Sequence, residues 1–213
     1  MDIRSATEIL YLVTNSDNFK SESEFLETIS LACQGGVTLV QLREKEKTGR
    51  EYYELALKVK EVTDKFKIPL IIDDRVDIAL AAGTAGVHLG QEDLPIAAAR
   101  KIMGPKAIIG ATAKTVPHAK AAEAAGADYL GVGAIYPTKT KVKTVITSVE
   151  TLRDIVDNTD IPAIAIGGLT AKNLDILKGS GAKGIAVVNA IMSDINPKGA
   201  AAELITLVRS IKF

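Results

Sequence analysis

Two adjacent carboxylates follow an apolar run in the stretch PLIIDDRVD, residues 69–77. In one interpretation Asp74 caps a helix that begins at Arg75, with Asp77 as its capping-box-like partner. In the other, Asp73 and Asp74 belong to a cation site, because carboxylate oxygens are common ligands of Mg²⁺. The local sequence leaves both interpretations open.

A third carboxylate, Asp93, follows a later apolar run in the stretch GQED. If the runs before Asp74 and Asp93 are neighbouring strands, the two side chains converge. Two carboxylates together with phosphate oxygens match the way in which Mg²⁺ is usually held. Glu92 is either a competing ligand or a surface charge. The spacing therefore predicts a Mg²⁺ site at Asp74 and Asp93.

Three polar side chains alternate in the stretch QLREK, at Gln41, Arg43 and Lys45. Alternate residues of a strand face the same side, and two cations on an inner face are costly unless an anion meets them. The pattern thus indicates an anion-binding site. An exposed basic loop held by salt bridges is the alternative.

Hydroxyl groups and an ammonium group follow two further apolar runs. Thr112 lies in GATAKT, directly after one run, and Thr138, Thr140 and Lys141 lie in YPTKTK after the next. Such groups supply hydrogen-bond donors without adding acceptor-only groups, so they suit a phosphate. A solvated lysine-rich loop is the alternative.

Paired glycines and a helix start indicate a second phosphate-binding region. Gly167 and Gly168 follow the seventh apolar run and head a predicted helix at Thr170, and Val188–Asn189 follow the eighth run. Backbone N–H groups after strands 7 and 8 commonly bind phosphate in barrel enzymes. The glycines indicate a site only because of this position along the chain.

Eight short apolar runs alternate with amphipathic helical patterns along the whole chain. The runs are nearly continuous in apolar residues, which is typical of strands covered on both faces. Stripes of apolar residues three and four positions apart predict helices over 21–34 and 48–66. The predicted strands are 9–14, 37–43, 69–73, 86–89, 107–111, 128–133, 162–167 and 184–188.

This alternation predicts an α/β protein, a single-domain (β/α)8 TIM barrel over residues 1–213. No linker or break in composition indicates a second domain, and an open doubly wound sheet is the alternative. In a barrel the loops that follow the strands share one rim, which carries the active site. The candidate side chains are therefore expected at that rim.

Composition limits the partners of the chain. Its 26 Lys plus Arg residues balance 26 Asp plus Glu residues, which argues against nucleic acid or an anionic membrane as a partner. No apolar run reaches the roughly 18 residues of a membrane span. The stretch MDIRSATEIL lacks a signal-peptide hydrophobic region, so a cytoplasmic location is expected. The expected partners are small phosphorylated molecules, and a homo-oligomer is compatible with the sequence.

In combination, several motifs resemble the thiamine-phosphate synthase family: QLREK, DDRVDIALA with GVHLGQEDLP, GADYLGVGAIYPTKTK, and AIGG. The resemblance runs from LYLVT to the final strand. It implies a Mg²⁺-dependent (β/α)8 transferase of thiamine biosynthesis. Its substrates would be 4-amino-2-methyl-5-hydroxymethylpyrimidine diphosphate and 4-methyl-5-(2-phosphoethyl)thiazole, and its products thiamine phosphate and diphosphate.

The resemblance also implies roles for residues of this chain. It assigns the pyrimidine diphosphate to Gln41, Arg43, Lys45, Asp73, Thr112 and Lys141. It assigns the thiazole phosphate to Thr138, Thr140, Gly168, Val188 and Asn189, and Mg²⁺ to Asp74 and Asp93. As catalytic residues, Arg43, Lys45 and Lys141 would stabilise the negative charge that develops on the departing diphosphate.

The chain departs from the family pattern at some of these positions. The family usually has Asn-Asp where this chain has Asp73-Asp74, so an amide donor is replaced by an acceptor-only group. A serine is usual at the positions of Thr112 and Asn189. These changes leave open a phosphate-ligand-binding barrel without turnover. A thiazole tautomerase is a further alternative, but that relative relies on a histidine where this chain has Ala134.

Overall fold

The computed structural model describes residues 3–17, 19–137 and 146–213. Eight parallel strands pair in chain order, and β1 pairs with β8 to close a barrel. The strands are β1 Ile9–Val13, β2 Leu39–Leu42, β3 Leu70–Asp73, β4 Gly86–Leu89, β5 Ile108–Ala113, β6 Tyr129–Gly133, β7 Ala163–Ile166 and β8 Gly184–Val187. The predicted strands and the predicted (β/α)8 barrel are confirmed, and the open sheet is excluded.

Helices connect the strands and pack against the outer face of the sheet. Ser21, Thr48, Thr115 and Ser148 cap their first turns with a hydroxyl group, as is common at helix N-termini. In the described residues the α-helices are α1 Glu22–Gln34, α2 Gly49–Lys65, α3 Val76–Ala81, α4 Ile96–Met103, α5 Val116–Ala124, α6 Val149–Asp157, α7 Asn189–Met192 and α8 Pro197–Ser210. None of these helices is long and apolar enough to cross a membrane.

Apolar side chains fill both sides of the barrel wall. In β1, Leu10 and Leu12 pack with the helices, whereas the alternate residue Tyr11 packs with Leu39 and Tyr129 in the interior. Because both faces of each strand are buried, the strand sequences are continuous in apolar residues rather than alternating. This is the physical reason that the strands were recognisable.

The segment after β7 differs from its prediction. Gly167 and Gly168 turn the chain with φ angles of 108° and 63°, and no α-helix begins at Thr170. The Asn173 side chain accepts a hydrogen bond from the Thr170 N–H and donates one to the Gly168 carbonyl. Such side-chain bonds compete with helical ones, so a short 3-10 helix at Leu174–Leu177 follows instead.

Candidate active site at the carboxyl ends of the strands

The two adjacent carboxylates at the end of β3 both face the rim. Asp73 is the last residue of β3, and its side chain is only 9% exposed. Neighbouring residues of a strand normally point to opposite faces, but Asp74 has a φ of 60°, in the left-handed region. Its N–H still donates to the His88 carbonyl of β4 over 2.9 Å. The backbone turn at Asp74 therefore brings its carboxylate to the same side as that of Asp73.

The helix-cap interpretation of Asp74 is wrong. The helix α3 begins at Val76, and Arg75 occupies its N-cap position without a side-chain capping bond. Asp77 pairs with Arg75 instead, with 2.8 Å between Arg75 Nε and Asp77 Oδ1. The carboxylate of Asp74 therefore does not cap α3 and faces the rim instead.

Lys45 joins the two carboxylates. Its Nζ lies 3.0 Å from Asp73 Oδ2 and also forms an ion pair with Asp74. Arg43 Nε lies 3.8 Å from the same Asp73 oxygen, and the Arg43 side chain is only 19% exposed. Because β2 ends at Leu42, Arg43 and Lys45 lie in the loop after the strand, and the prediction that they alternate on the strand itself is wrong. Their contacts with Asp73 place both cations at the rim. The salt bridges of the alternative interpretation are present and Lys45 is 39% exposed, so only the partly buried Arg43 departs from an exposed basic loop.

The carboxylates of Asp74 and Asp93 converge, as the order of the strands predicts. Their side chains hydrogen-bond to each other, and Asp93 Oδ2 accepts a 2.6 Å hydrogen bond from the Gly90 N–H. Burial and the contact with Asp74 raise the pKa of Asp93. Burial also acts to raise the pKa of Asp74, but the hydrogen bonds from Lys45 and Asp93 outweigh it and lower that pKa.

The carboxylate of Asp73 is poorly solvated. Burial and the neighbouring Asp74 charge raise the pKa of Asp73 to about 6, against the opposite effects of Lys45 and Arg43. The two cations therefore compensate part of the charge of this carboxylate.

The pair Asp74 and Asp93 fits a Mg²⁺ ion that is completed by a substrate. Among the described residues, no group of three or more His, Cys, Asp or Glu side chains is arranged to hold a metal. Mg²⁺ is commonly bound by one or two carboxylates, with water and substrate phosphates as the remaining ligands. The two converging carboxylates match the protein part of that donor set.

A chain of hydrogen bonds crosses the barrel interior beneath these charged groups. Gln41 Nε2 donates to Tyr11 Oη over 2.6 Å, and Tyr11 Oη lies 2.7 Å from Tyr129 Oη. Tyr129 Oη lies 3.1 Å from His88 Nδ1, and His88 Nε2 lies 3.0 Å from Thr112 Oγ1. The members come from β2, β1, β6, β4 and β5. We call these residues the interior hydrogen-bond chain.

Sequence reasoning found only part of the interior hydrogen-bond chain. Thr112 was expected directly after strand 5, but β5 continues to Ala113, so that position is wrong. His88 lies in β4, and its ring has two polar partners. Tyr11 and Tyr129 were missed. The available signal was a tyrosine at an inward position of each of two strands.

The candidate residues for the second phosphate lie at the ends of β7 and β8. Gly168 follows β7, and a Cβ atom there would lie 2.6 Å from Tyr136 Cβ. Val188 follows β8 and precedes α7, whose first residue is Asn189. Gly168 therefore has no room for a side chain, and the three positions share one side of the rim.

Three candidate residues, Thr138, Thr140 and Lys141, lie outside the described residues. The described part of the same loop returns to the barrel at Thr147, whose hydroxyl donates to the Gly133 carbonyl over 3.0 Å. The predicted roles of the three residues stay predictions.

A match to a family model shows the protein family of this chain. The family model described as thiamine monophosphate synthase matches residues 10–191. The chain belongs to this family.

Curated relatives and a solved structure agree with the thiamine monophosphate synthase family. Thiamine-phosphate synthase 2 of Streptococcus pneumoniae is 53% identical over 89% of this chain and 90% of its own length. Thiamine-phosphate synthase of Enterococcus faecalis is 54% identical over 86% of each chain. The structure of thiamine phosphate pyrophosphorylase from Pyrococcus furiosus matches with a TM-score of 0.87 and 37% identity, covering 96% of this chain and 97% of that one.

More distant structures share only the barrel. A 3-hexulose-6-phosphate synthase structure matches with a TM-score of 0.71 at 18% identity. At this identity the likeness concerns the fold alone. Membership of the family, and not the barrel fold alone, therefore indicates the function.

One residue between the two cations of QLREK was not singled out from the sequence. Glu44 Oε2 accepts a 2.6 Å hydrogen bond from Ser16 Oγ, and Lys47 Nζ lies 3.6 Å away. Burial raises the pKa of this carboxyl, although Ser16 and Lys47 act to lower it. Because Ser16 follows β1, the contact ties the first loop of this family member to the segment that carries Arg43 and Lys45. Nothing in the sequence distinguishes Glu44 from the other charges of REKEK.

Proposed function

We propose that the chain is a Mg²⁺-dependent transferase that makes thiamine phosphate. It joins 4-amino-2-methyl-5-hydroxymethylpyrimidine diphosphate to 4-methyl-5-(2-phosphoethyl)thiazole and releases diphosphate. The observation that carries this proposal is the 53% identity, over nine-tenths of both chains, to a thiamine-phosphate synthase. This likeness favours the synthase over a tautomerase or a binding protein without turnover.

The chemistry needs a site that stabilises a leaving diphosphate. The C–O bond between the pyrimidine methylene and diphosphate breaks, and its electron pair leaves with diphosphate. The thiazole nitrogen supplies the electron pair of the new C–N bond. No protein nucleophile is needed, so the chain contributes positioning and charge stabilisation.

Arg43 and Lys45 are the described cations that would meet the diphosphate. Lys45 is 39% exposed at the rim, within reach of a ligand, and its present partners are the carboxylates of Asp73 and Asp74. Negative charge that develops on the leaving group is stabilised by cations already held in place. Lys141 would add a third cation.

Asp74 and Asp93 would hold the Mg²⁺ ion. When bound, the ion supplies neutralisation of phosphate charge and helps diphosphate to leave. Asp74 is now paired with Lys45. A second cation at Asp74 would leave the Lys45 ammonium available to the diphosphate.

The thiazole phosphate is assigned to the opposite part of the rim. Gly168 and the backbone at Val188–Asn189 follow β7 and β8, where barrels commonly bind phosphate through N–H groups. Thr138 and Thr140 would add hydroxyl donors. Holding both substrates at one rim replaces a bimolecular encounter by an oriented one, which supplies much of the rate enhancement.

The proposal is tested by identifying the product. Purified protein is incubated with both substrates and Mg²⁺, and the mixture is analysed by mass spectrometry. We expect thiamine phosphate only when both substrates and Mg²⁺ are present, and chelation of the metal should stop its formation. Absence of thiamine phosphate in the complete mixture would refute the proposed activity.

A further inference from the structure

The segment between β2 and α2, which carries the two rim cations, is closed at its base by Tyr52. This residue lies in the first turn of α2, and its N–H donates to the Thr48 carbonyl over 2.9 Å. Its hydroxyl donates to the carbonyl of Leu42, the last residue of β2, over 2.6 Å. One residue thus holds the end of β2 and the start of α2 together.

The same hydroxyl reaches the end of β3. Tyr52 Oη lies 3.2 Å from the Asp73 carbonyl oxygen. A carbonyl oxygen can only accept, so the phenol shares its one proton between the Leu42 and Asp73 carbonyls, with the shorter bond to Leu42. Burial and the charge of Asp73 raise the pKa of Tyr52 well above its ordinary value, so the phenol stays a donor at neutral pH. Tyr52 therefore links the segment after β2 to the end of β3.

The peptide group that leads into Arg43 is held at both of its polar atoms. Its carbonyl, that of Leu42, accepts from Tyr52. Its N–H, that of Arg43, donates to Thr14 Oγ1 over 3.2 Å. Because a peptide group is planar, bonds at its two opposite atoms fix the direction in which the chain continues toward the rim cations.

The peptide group that leads into Asp74 is held in the same way. Its carbonyl, that of Asp73, accepts from Tyr52 and, over 2.7 Å, from the Arg75 N–H. Its N–H, that of Asp74, donates to the His88 carbonyl over 2.9 Å. This peptide group lies between the two carboxylates and precedes the left-handed backbone of Asp74. Its orientation therefore sets the direction of both carboxylates relative to β3.

Tyr52 lies out of reach of a ligand at the rim. Its side chain is 1% exposed and packs in the core between the helices and the barrel wall. The first turn of α2 is itself fixed, since Thr48 and Glu51 form a capping box. Any effect of the Tyr52 hydroxyl on a ligand must therefore pass through the backbone that it holds.

We infer that Tyr52 is a positioning residue of the proposed reaction: its hydroxyl holds the rim cations after β2 in register with the carboxylates at the end of β3. This inference rests on the proposed function. Cations that are already in place stabilise a leaving anion without a cost of reorganisation. A displacement of about 1 Å, even one caused far from the reacting atoms, costs about 100-fold in rate.

Tyr52→Phe removes the hydroxyl and keeps the ring. Binding of diphosphate with Mg²⁺, measured by isothermal titration, should weaken about tenfold, the effect of one lost hydrogen bond. The kcat value should fall by at least the same factor, and KM for the thiazole phosphate should stay unchanged. Tyr53→Phe makes the same change at the next, half-buried position of α2 and is the matched control.

Three results of these measurements overturn the inference. The first is unchanged diphosphate affinity and kcat in Tyr52→Phe, even if its melting temperature falls, since Tyr52 would then be a purely structural residue. The second is an equal rise in KM for the thiazole phosphate, which would indicate a general disturbance of the rim. The third is the same loss in Tyr53→Phe.

Amide hydrogen exchange of the ligand-free protein, followed by NMR, tests the hold of Tyr52 without any turnover. In Tyr52→Phe the N–H groups of Arg43 and Asp74 should exchange about tenfold faster, because each peptide group loses one bond. The Leu130 N–H of β6, bonded to the Pro162 carbonyl over 2.9 Å, reports general destabilisation and should keep its rate. Unchanged exchange at Arg43 and Asp74, or an equal increase at Leu130, overturns the inference.

The two experiments separate this inference from the proposed function. Faster exchange at both N–H groups supports the hold of the Tyr52 hydroxyl even if no thiamine phosphate forms, and only the proposed synthase is then refuted. If thiamine phosphate forms while Tyr52→Phe keeps the diphosphate affinity, the kcat and the exchange rates of the unmodified protein, the positioning role is wrong and the proposed function stands.

Discussion

Asp73 and Asp74 contact the same ammonium group because the backbone at Asp74 is left-handed. Aspartate tolerates this conformation better than most residues, since its short polar side chain bonds locally. Lys45 and Arg43 compensate the Asp73 charge. That compensation explains how an acidic side chain is accommodated where the family usually has asparagine.

At the residue scale, Asp73→Asn tests the cost of this charge. Removing a negative group at the proposed diphosphate site should leave diphosphate affinity unchanged or strengthen it by up to about tenfold, because like charges in a partly buried site repel. Isothermal titration with diphosphate and Mg²⁺ measures the effect. A clear loss of affinity would mean that Asp73 contributes a favourable contact of its own.

The second residue-scale prediction concerns the proposed metal ligands. Asp74→Ala and Asp93→Ala should each lower turnover by roughly an order of magnitude or more, because each would remove a proposed oxygen ligand of Mg²⁺. Initial rates across a Mg²⁺ titration measure this. Asp77→Ala is the matched control, since Asp77 pairs with Arg75 away from the rim cluster. Equal rates in all three variants would remove Asp74 and Asp93 from the metal site.

At the element scale, Glu44 links the segment after β2 to the loop after β1. Its pKa is raised by burial, so the folded protein holds a proton on Glu44 more tightly than the unfolded chain does. This stability is present at acid pH and is lost as pH rises through the raised pKa.

Glu44→Gln should therefore gain stability relative to the unmodified protein as pH rises. The neutral amide removes the cost of a buried charge, so we expect a higher melting temperature for the variant at pH about 8 and a smaller difference at pH about 4. Calorimetry at the two pH values measures it. A variant that loses relative stability between acid and neutral pH contradicts the assigned cause.

The turn after β7 gives a second prediction at this scale. A side chain at Gly168 would collide with Tyr136, so Gly168→Ala should raise KM for the thiazole phosphate by about tenfold through a displaced turn. Gly179 has a similar φ of 68°, but a Cβ atom there meets nothing within 4 Å. Gly179→Ala thus controls for backbone strain alone. The same KM change in both variants would mean that strain, and not the turn, is responsible.

Features that arise from local sequence patterns could be predicted from the sequence, whereas contacts between distant strands could not. The strands were recognisable because burial on both faces leaves its mark on each segment, and the convergence of Asp74 and Asp93 follows from strand order. The contacts of Tyr11, Tyr129 and His88 depend instead on the stagger of distant strands, which local patterns do not encode. The predicted helix at Thr170 failed because one side chain, Asn173, bonds the backbone.

At the scale of the whole molecule, barrel closure brings the charged groups together. Asp73, Asp74, Asp93 and the cations of the QLREK stretch come from three neighbouring strands or the loops after them. The candidate positions after β7 and β8 lie farther around the same closed barrel. A closed parallel barrel thus brings both sets of candidate residues to one rim.

A ³¹P NMR time course is the most direct test that this rim couples the loss of diphosphate to the formation of a C–N bond. With both substrates and Mg²⁺, we expect free diphosphate to appear at the same rate as the thiazole phosphate signal converts to that of thiamine phosphate. Release of diphosphate without that conversion, or no change in either signal, would contradict it.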